Sequence, residues 1–189
     1  MGGPRVSERI AKVILLVEDL RQDALLRRYL HRLGHQNIRA QMVPKGKGSG
    51  EQFVRERYAS EVRAIRSQMT RTRACLVAMI DADTGSTDDR RRQLERALRD
   101  ADQSPRTRDE PILNLIPKRN VETWILCLNS EQVDEVTDYR HDQRVDAPAI
   151  RLAAEALFSW TRPNAQLPEI CVASLRDCMP EFPRIPGDT

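Results

Sequence analysis

Carboxylates recur in this chain at the ends of apolar runs. Cys75-Leu76-Val77-Ala78-Met79-Ile80 is followed at once by Asp81-Ala82-Asp83-Thr84-Gly85. A run of this length with β-branched residues reads as a strand buried on both faces. In an extended chain residues i and i+2 point the same way, so Asp81 and Asp83 are expected to converge beyond the strand's carboxyl edge. Open α/β sheets take their ligands at that edge. Two neighbouring carboxylates call for a positive partner, which Mg²⁺ or Mn²⁺ bound through oxygen supplies. The plainer alternative is an acidic loop that caps the next helix. Residues 12–17 are a second such run, ending in Glu18 and Asp19, and residues 111–117 a third, followed by Lys118, Arg119 and Glu122. In a parallel sheet the three loops open on one side, where Glu18, Asp81, Asp83 and Glu122 would hold one or two divalent ions. Such ions polarise a phosphodiester and ionise a water, and Lys118 and Arg119 would flank the scissile phosphate. Glu18 is expected to act as a ligand or as a general base, the latter needing a raised pKa. Both Glu18 and Asp81 are expected at the surface.

Positioning these acids requires a sheet and its helices. The periodicity predicts a helix over 23–33 closed by Gly34, and a weakly alternating strand over 37–43 at or near a sheet edge. Long amphipathic helices are expected over 51–73 and from 87 or 88 to 100, a helix entered from 118 to 128, and further helices at 148–160 and about 170–179. The loop 44–50 is glycine-rich and basic. It lacks GxxxxGK[ST] spacing, so Walker-type nucleotide binding is rejected, but Lys45 and Lys47 are candidate contacts to a phosphate backbone. A solvated connection is the competing reading of that loop. The expected fold class is α/β: a compact, Rossmann-like, mostly parallel sheet flanked by helices, with a helical C-terminal extension. Residues 1–11 read as a disordered lead-in, 12–130 as the catalytic domain, and 131–189 as the extension packed on it.

Composition narrows the field. Aromatic residues are 4% of the chain, too few for the stacking platforms of single-strand-binding proteins. Residues 1–75 hold 16 Lys/Arg against 7 Asp/Glu, a net of +9, and residues 76–189 hold 15 against 21, a net of −6. A basic half beside an acidic half suits a polyanion held near divalent ions, and equally suits two halves that attract each other. The four cysteines form no CxxC and read as buried reduced thiols of a cytoplasmic protein. No signal peptide or membrane-spanning run is apparent.

The motifs "LLVED", with Glu18, and "MIDAD", with Asp81 and Asp83, resemble those of the Toprim family: the metal-dependent domain of topoisomerases, bacterial primases and OLD-type nucleases. "IPKRNVETWIL" is similar to a segment of small stand-alone Toprim-like proteins, often encoded in bacterial defence islands. The resemblance spans roughly residues 12–130. It implies a Mg²⁺- or Mn²⁺-dependent nuclease acting on DNA or RNA, with Glu122 as a further active-site acid, and control by a partner protein such as an ATPase. Homo-oligomerisation stays open. Many nuclease relatives carry a second acid four residues after the first, where this chain has Gln22; Asp23 lies one residue beyond. The opening "VILLVEDLRQDALLRRYLHRLG" also resembles a response-regulator receiver domain, in which Asp81 or Asp83 would accept a phosphoryl group and Lys118 pair with it. Against that stand the 63 residues between Glu18 and Asp81. A non-catalytic module binding nucleic acid or protein is the third class.

Overall fold

A computed structural model of the chain describes residues 10–44, 48–69, 73–185 and 187. Strands β1 (Lys12–Leu16), β2 (Ile38–Gln41), β3 (Ala74–Met79) and β4 (Ile112–Leu115) form one sheet in the order β2-β1-β3-β4, and every neighbouring pair is parallel. Each is followed by a helix: α1 (Leu20–Arg32), α2 (Gly50–Gln68), α3 (Thr87–Asp100) and α4 (Val121–Leu128). Helices α5 (Ala147–Trp160) and α6 (Ala173–Cys178) and a 3₁₀ segment, Met179–Arg184, complete the chain. The fold is α/β, as the alternation of apolar runs and amphipathic segments predicts.

Strand alternation divides the core in two. Val13, Leu15, Cys75, Val77, Met79, Leu113 and Leu115 pack with α1, α4 and α5, whereas Ile14, Leu16, Leu76, Ala78 and Ile112 pack with α2 and α3. Both faces are covered, which is why β3, Ala74–Met79, is apolar at every position instead of every second one. Neighbouring strands β1 and β3 therefore send their following helices to opposite faces of the sheet. The carboxyl ends of β1 and β3 are therefore the topological switch point of the sheet, the place where open α/β folds put their ligand crevice.

Several boundaries differ from expectation for local reasons. Helix α1 begins at Leu20, not residue 23, because the Asp19 side chain accepts from the backbone N–H groups of Arg21 and Gln22 at 2.8 and 2.9 Å and caps it. Helix α2 stops at Gln68. The helix expected over about 170–179 begins only at Ala173, and after Cys178 the chain passes into the 3₁₀ segment that carries Pro180 and Pro183. Ile10 packs on the core and the Ala11 N–H donates to the Arg73 carbonyl at 2.8 Å, so these two residues belong to the fold; residues 1–9 of the expected lead-in lie outside the described residues. All four cysteines are buried and free. Among the described residues, no helix is long and apolar enough to cross a membrane.

The C-terminal segment covers the edge strand β4. The Asn114 N–H donates to Glu181 Oε2 at 3.0 Å, the Ile116 N–H to Cys178 Sγ at 3.4 Å and the Lys118 N–H to Ser174 Oγ at 3.1 Å. Donors that would otherwise template another strand are thereby satisfied. Glu181 also takes the Arg106 guanidinium, with Nη2 to Oε1 at 2.9 Å. Burial pushes the Glu181 carboxyl up, but Arg106 outweighs it and holds the group below its ordinary value. Glu181→Gln should leave Arg106 unpaired and lower stability by about 3 kcal/mol at neutral pH. A depressed folded-state pKa stabilises above the unfolded value and loses that stabilisation as pH falls through the folded one. The gap between wild type and variant should therefore close below the ordinary value of 4.5. Urea denaturation at neutral and acid pH measures it; a gap independent of pH would contradict the pairing.

Candidate acidic site at the carboxyl edge of the sheet

Glu18 follows β1 and Asp81 follows β3, so the two acids face each other across the crevice where the topology switches. The Asp81 backbone N–H donates to Glu18 Oε1 at 2.5 Å, locking one strand end to the other. Gln22, fully buried in the first turn of α1, completes a ring: its Oε1 accepts from the Glu18 N–H at 2.9 Å and its Nε2 donates to Asp81 Oδ1 at 3.0 Å. The residue that replaces an expected acid thus holds an acid in place. Asp23 pairs instead with Arg27 at 2.8 Å along α1.

Glycine at position 50 is required by packing. A Cβ there would sit 2.6 Å from the Glu18 carbonyl oxygen, so only glycine lets α2 start against the end of β1. The flexible loop expected to approach a phosphate therefore ends by approaching Glu18. Lys45 and Lys47, its candidate phosphate contacts, lie outside the described residues.

Asp81 is 4% exposed, which corrects the expectation that it sits at the surface. Burial raises its pKa well above the ordinary value, and the charges of Glu18, Asp19, Glu122 and Asp83 add to the rise. Glu18 is pushed up to about 7, first by burial and then by Asp83, against the favourable Asp81 amide. Such a carboxyl exchanges its proton near neutrality, as a general base must.

Asp83 departs from the expected geometry. Strand β3 ends at Met79 and Asp83 has φ +51°, a left-handed turn conformation, so its side chain does not repeat the direction of Asp81. It pairs with Arg140 and lies 3.7 Å from Nη2 of Arg90. Arg90 is nearly buried and braces the loop: its Nε donates to the Asp81 carbonyl at 2.9 Å, and it also pairs with Glu51. Glu122, in the first turn of α4 behind the Asn120 cap, is 2% exposed and accepts from Arg21 Nη1 at 2.5 Å. Lys118 Nζ donates to the Gly85 carbonyl, in the loop after Asp83, and Arg119 Nη2 lies 3.5 Å from Asp138.

The four predicted acids thus gather at one edge, but each is matched individually. The donor set is all oxygen and suits a hard divalent cation, and Asp81, crowded by four other acids, is short of positive charge. In this conformation arginines supply that charge to Asp83 and Glu122. Among the described residues, no group of three His, Cys, Asp or Glu side chains is arranged to hold an ion. Ion binding through Asp83 or Glu122 requires Arg140 or Arg21 to withdraw. Arg21, Gln22, Arg90 and Arg140 escaped sequence reasoning, Arg140 because its segment carries no motif.

No family model matches the chain, and no curated protein or solved structure matches it either.

The raised acids make a thermal prediction. Glu18 carries a folded-state pKa of about 7 against an ordinary 4.5, so its contribution to stability is full below 4.5 and is lost as pH rises through about 7. In EDTA the melting temperature should fall from pH 5 to pH 8, and Glu18→Gln should flatten that slope. An identical slope in the variant would contradict the burial of Glu18 as an acid.

Proposed function

We propose that this protein is a Mg²⁺- or Mn²⁺-dependent nuclease that hydrolyses phosphodiesters at the carboxyl edge of its sheet. The observation that carries the reading is the Glu18–Asp81 link at the topological switch. Two strand ends far apart in sequence hold their acids together at a standing electrostatic penalty, which core packing does not demand. The resemblance of "LLVED", "MIDAD" and "IPKRNVETWIL" to Toprim motifs points the same way. By that resemblance a regulatory partner, such as an ATPase, and a role in bacterial defence belong to the same proposal.

In this reading Asp81, Asp83 and Glu122, with Glu18 beside them, would hold the cation. A bound divalent ion offsets charge on the reacting phosphate and lowers the pKa of water. Glu18 accepts the proton of the attacking water, its carboxyl poised near neutrality by burial. Gln22 fixes the orientation of Asp81, and Arg90 holds the loop after β3 through the Asp81 carbonyl. Lys118, which donates to the Gly85 carbonyl, would turn to a phosphate in this reading. The receiver alternative asks Lys118 to pair with the phosphoacceptor, and its ammonium is turned to a carbonyl instead.

Supercoiled plasmid and total RNA, incubated with Mg²⁺, Mn²⁺ or EDTA, provide the test. The wild-type protein should degrade at least one of them only when metal is present. Asp81→Asn, which keeps the acceptor for Gln22 and so the fold, should lower the rate by about a hundredfold or more. Neither substrate cut with either metal, or undiminished cutting by Asp81→Asn, would overturn the proposal. Labelling of a single aspartate by acetyl phosphate would favour the receiver.

A further inference from the structure

Two of the arginines at the acidic edge differ in kind from the third. Arg90 is 8% exposed and fixed by Glu51, the Asp81 carbonyl and Gln93. Arg21 and Arg140 expose 38% and 48% of their side chains, while the carboxylates they hold, Glu122 and Asp83, expose 3% and 34%. The arginines therefore lie on the solvent side of the acids and can swing outward without repacking the core. They are also tied to each other, because Arg21 Nη1 donates at once to Glu122 Oε1 at 2.5 Å and to the Arg140 carbonyl at 2.6 Å.

We propose that Arg21 and Arg140 are substrate-binding residues for a phosphodiester, parked on Glu122 and Asp83 until cation and phosphate arrive. The inference rests on the nuclease reading of the site. A cation that takes Asp83 and Glu122 displaces two guanidiniums, which remain at the mouth of the crevice as uncompensated positive charge. An incoming phosphate offers them oxygen pairs with the fork geometry of the carboxylates they left. Exchange of partners conserves charge, whereas either ligand alone breaks ion pairs without replacing them. Cation and phosphate therefore bind with positive coupling, each raising the affinity for the other. Because Arg21 bonds the Arg140 backbone, release of one loosens the other. Residues 129–146, which carry Arg140, thus belong to the substrate site although no motif marks them.

The test uses the full chain and two probes: Mn²⁺ by calorimetry, and phosphorothioate oligothymidylate or oligouridylate by fluorescence anisotropy over a salt series with Mn²⁺ present. Arg140→Ala should bind Mn²⁺ about tenfold more tightly than wild type without oligonucleotide, since a competitor for Asp83 is gone. The same variant should bind oligonucleotide more weakly, with a salt slope lower by about one. Arg140→Lys, which keeps the charge but not the fork, should fall between. The two oligonucleotides report whether ribose matters; the arginine effect is expected on whichever binds. Opposite shifts for the two ligands exclude simple loss of fold, which would weaken both. Mn²⁺ affinity unchanged or weakened in Arg140→Ala, or oligonucleotide affinity unchanged, would overturn this inference and leave the nuclease reading standing. No Mn²⁺ binding by wild type or either variant, or no binding of either oligonucleotide by wild type, would overturn both.

Discussion

A carboxylate buried among other carboxylates is the constraint to which the rest of this molecule answers. Asp81 is almost out of solvent, and four further acids press on it. Left alone, such a group would protonate or drag water into the core. The fold responds at several levels. Gln22 donates to the Asp81 carboxylate, Glu18 accepts from its backbone N–H, and Arg90 grips its carbonyl. Glu18 itself carries its proton up to about neutrality, and Arg21 and Arg140 neutralise the outer acids. The responses come from several elements, with Arg21 and Gln22 both on α1, so the edge of the sheet binds β1, β3, α1, α3, α4 and the 129–146 connection into one polar unit. Stability alone would be better served by apolar residues in these positions. In the proposed function, the missing positive charge is supplied from outside by a cation.

The frame was legible in the sequence because burial on both faces leaves a crude mark. The runs Val13–Val17 and Cys75–Ile80 are apolar throughout, Ile112–Ile116 is apolar but for Asn114, and no helix period fits them. The acids stood out for the same reason, as abrupt charges after those runs. What could not be read was anything decided by partners remote in the chain. Strand alternation carried past Ile80 predicts that Asp83 points with Asp81; the chain instead turns left-handed at Asp83, which pairs with Arg140. Nothing in the sequence separates the role of Asp19 from that of Glu18 beside it, yet two short backbone bonds make Asp19 the cap that starts α1 early. Gln22 looked like a lost ligand, and only the fold reveals it as the support of Asp81.

The C-terminal segment explains itself only in three dimensions. Its composition, rich in proline and without motif, suggests an irregular tail. In the structure it does two jobs. Glu181, Cys178 and Ser174 satisfy donors along and just beyond β4, so the sheet does not present a reactive edge on that side. The preceding connection carries Asp138 to Asn120 and Arg119, and Arg140 to Asp83 at the acidic edge. The C-terminal extension thus packs against the edge strand β4 and reaches the acidic edge through Arg140.

The central claim is that these acids were assembled to share a cation. A crystal of the protein soaked in millimolar Mn²⁺, with an anomalous difference map, tests it most directly. The account predicts a peak bonded to Asp81 and to at least one of Asp83 and Glu122, with the corresponding arginine moved away. A map empty at this edge, with Arg21 and Arg140 still seated on their carboxylates, would contradict it.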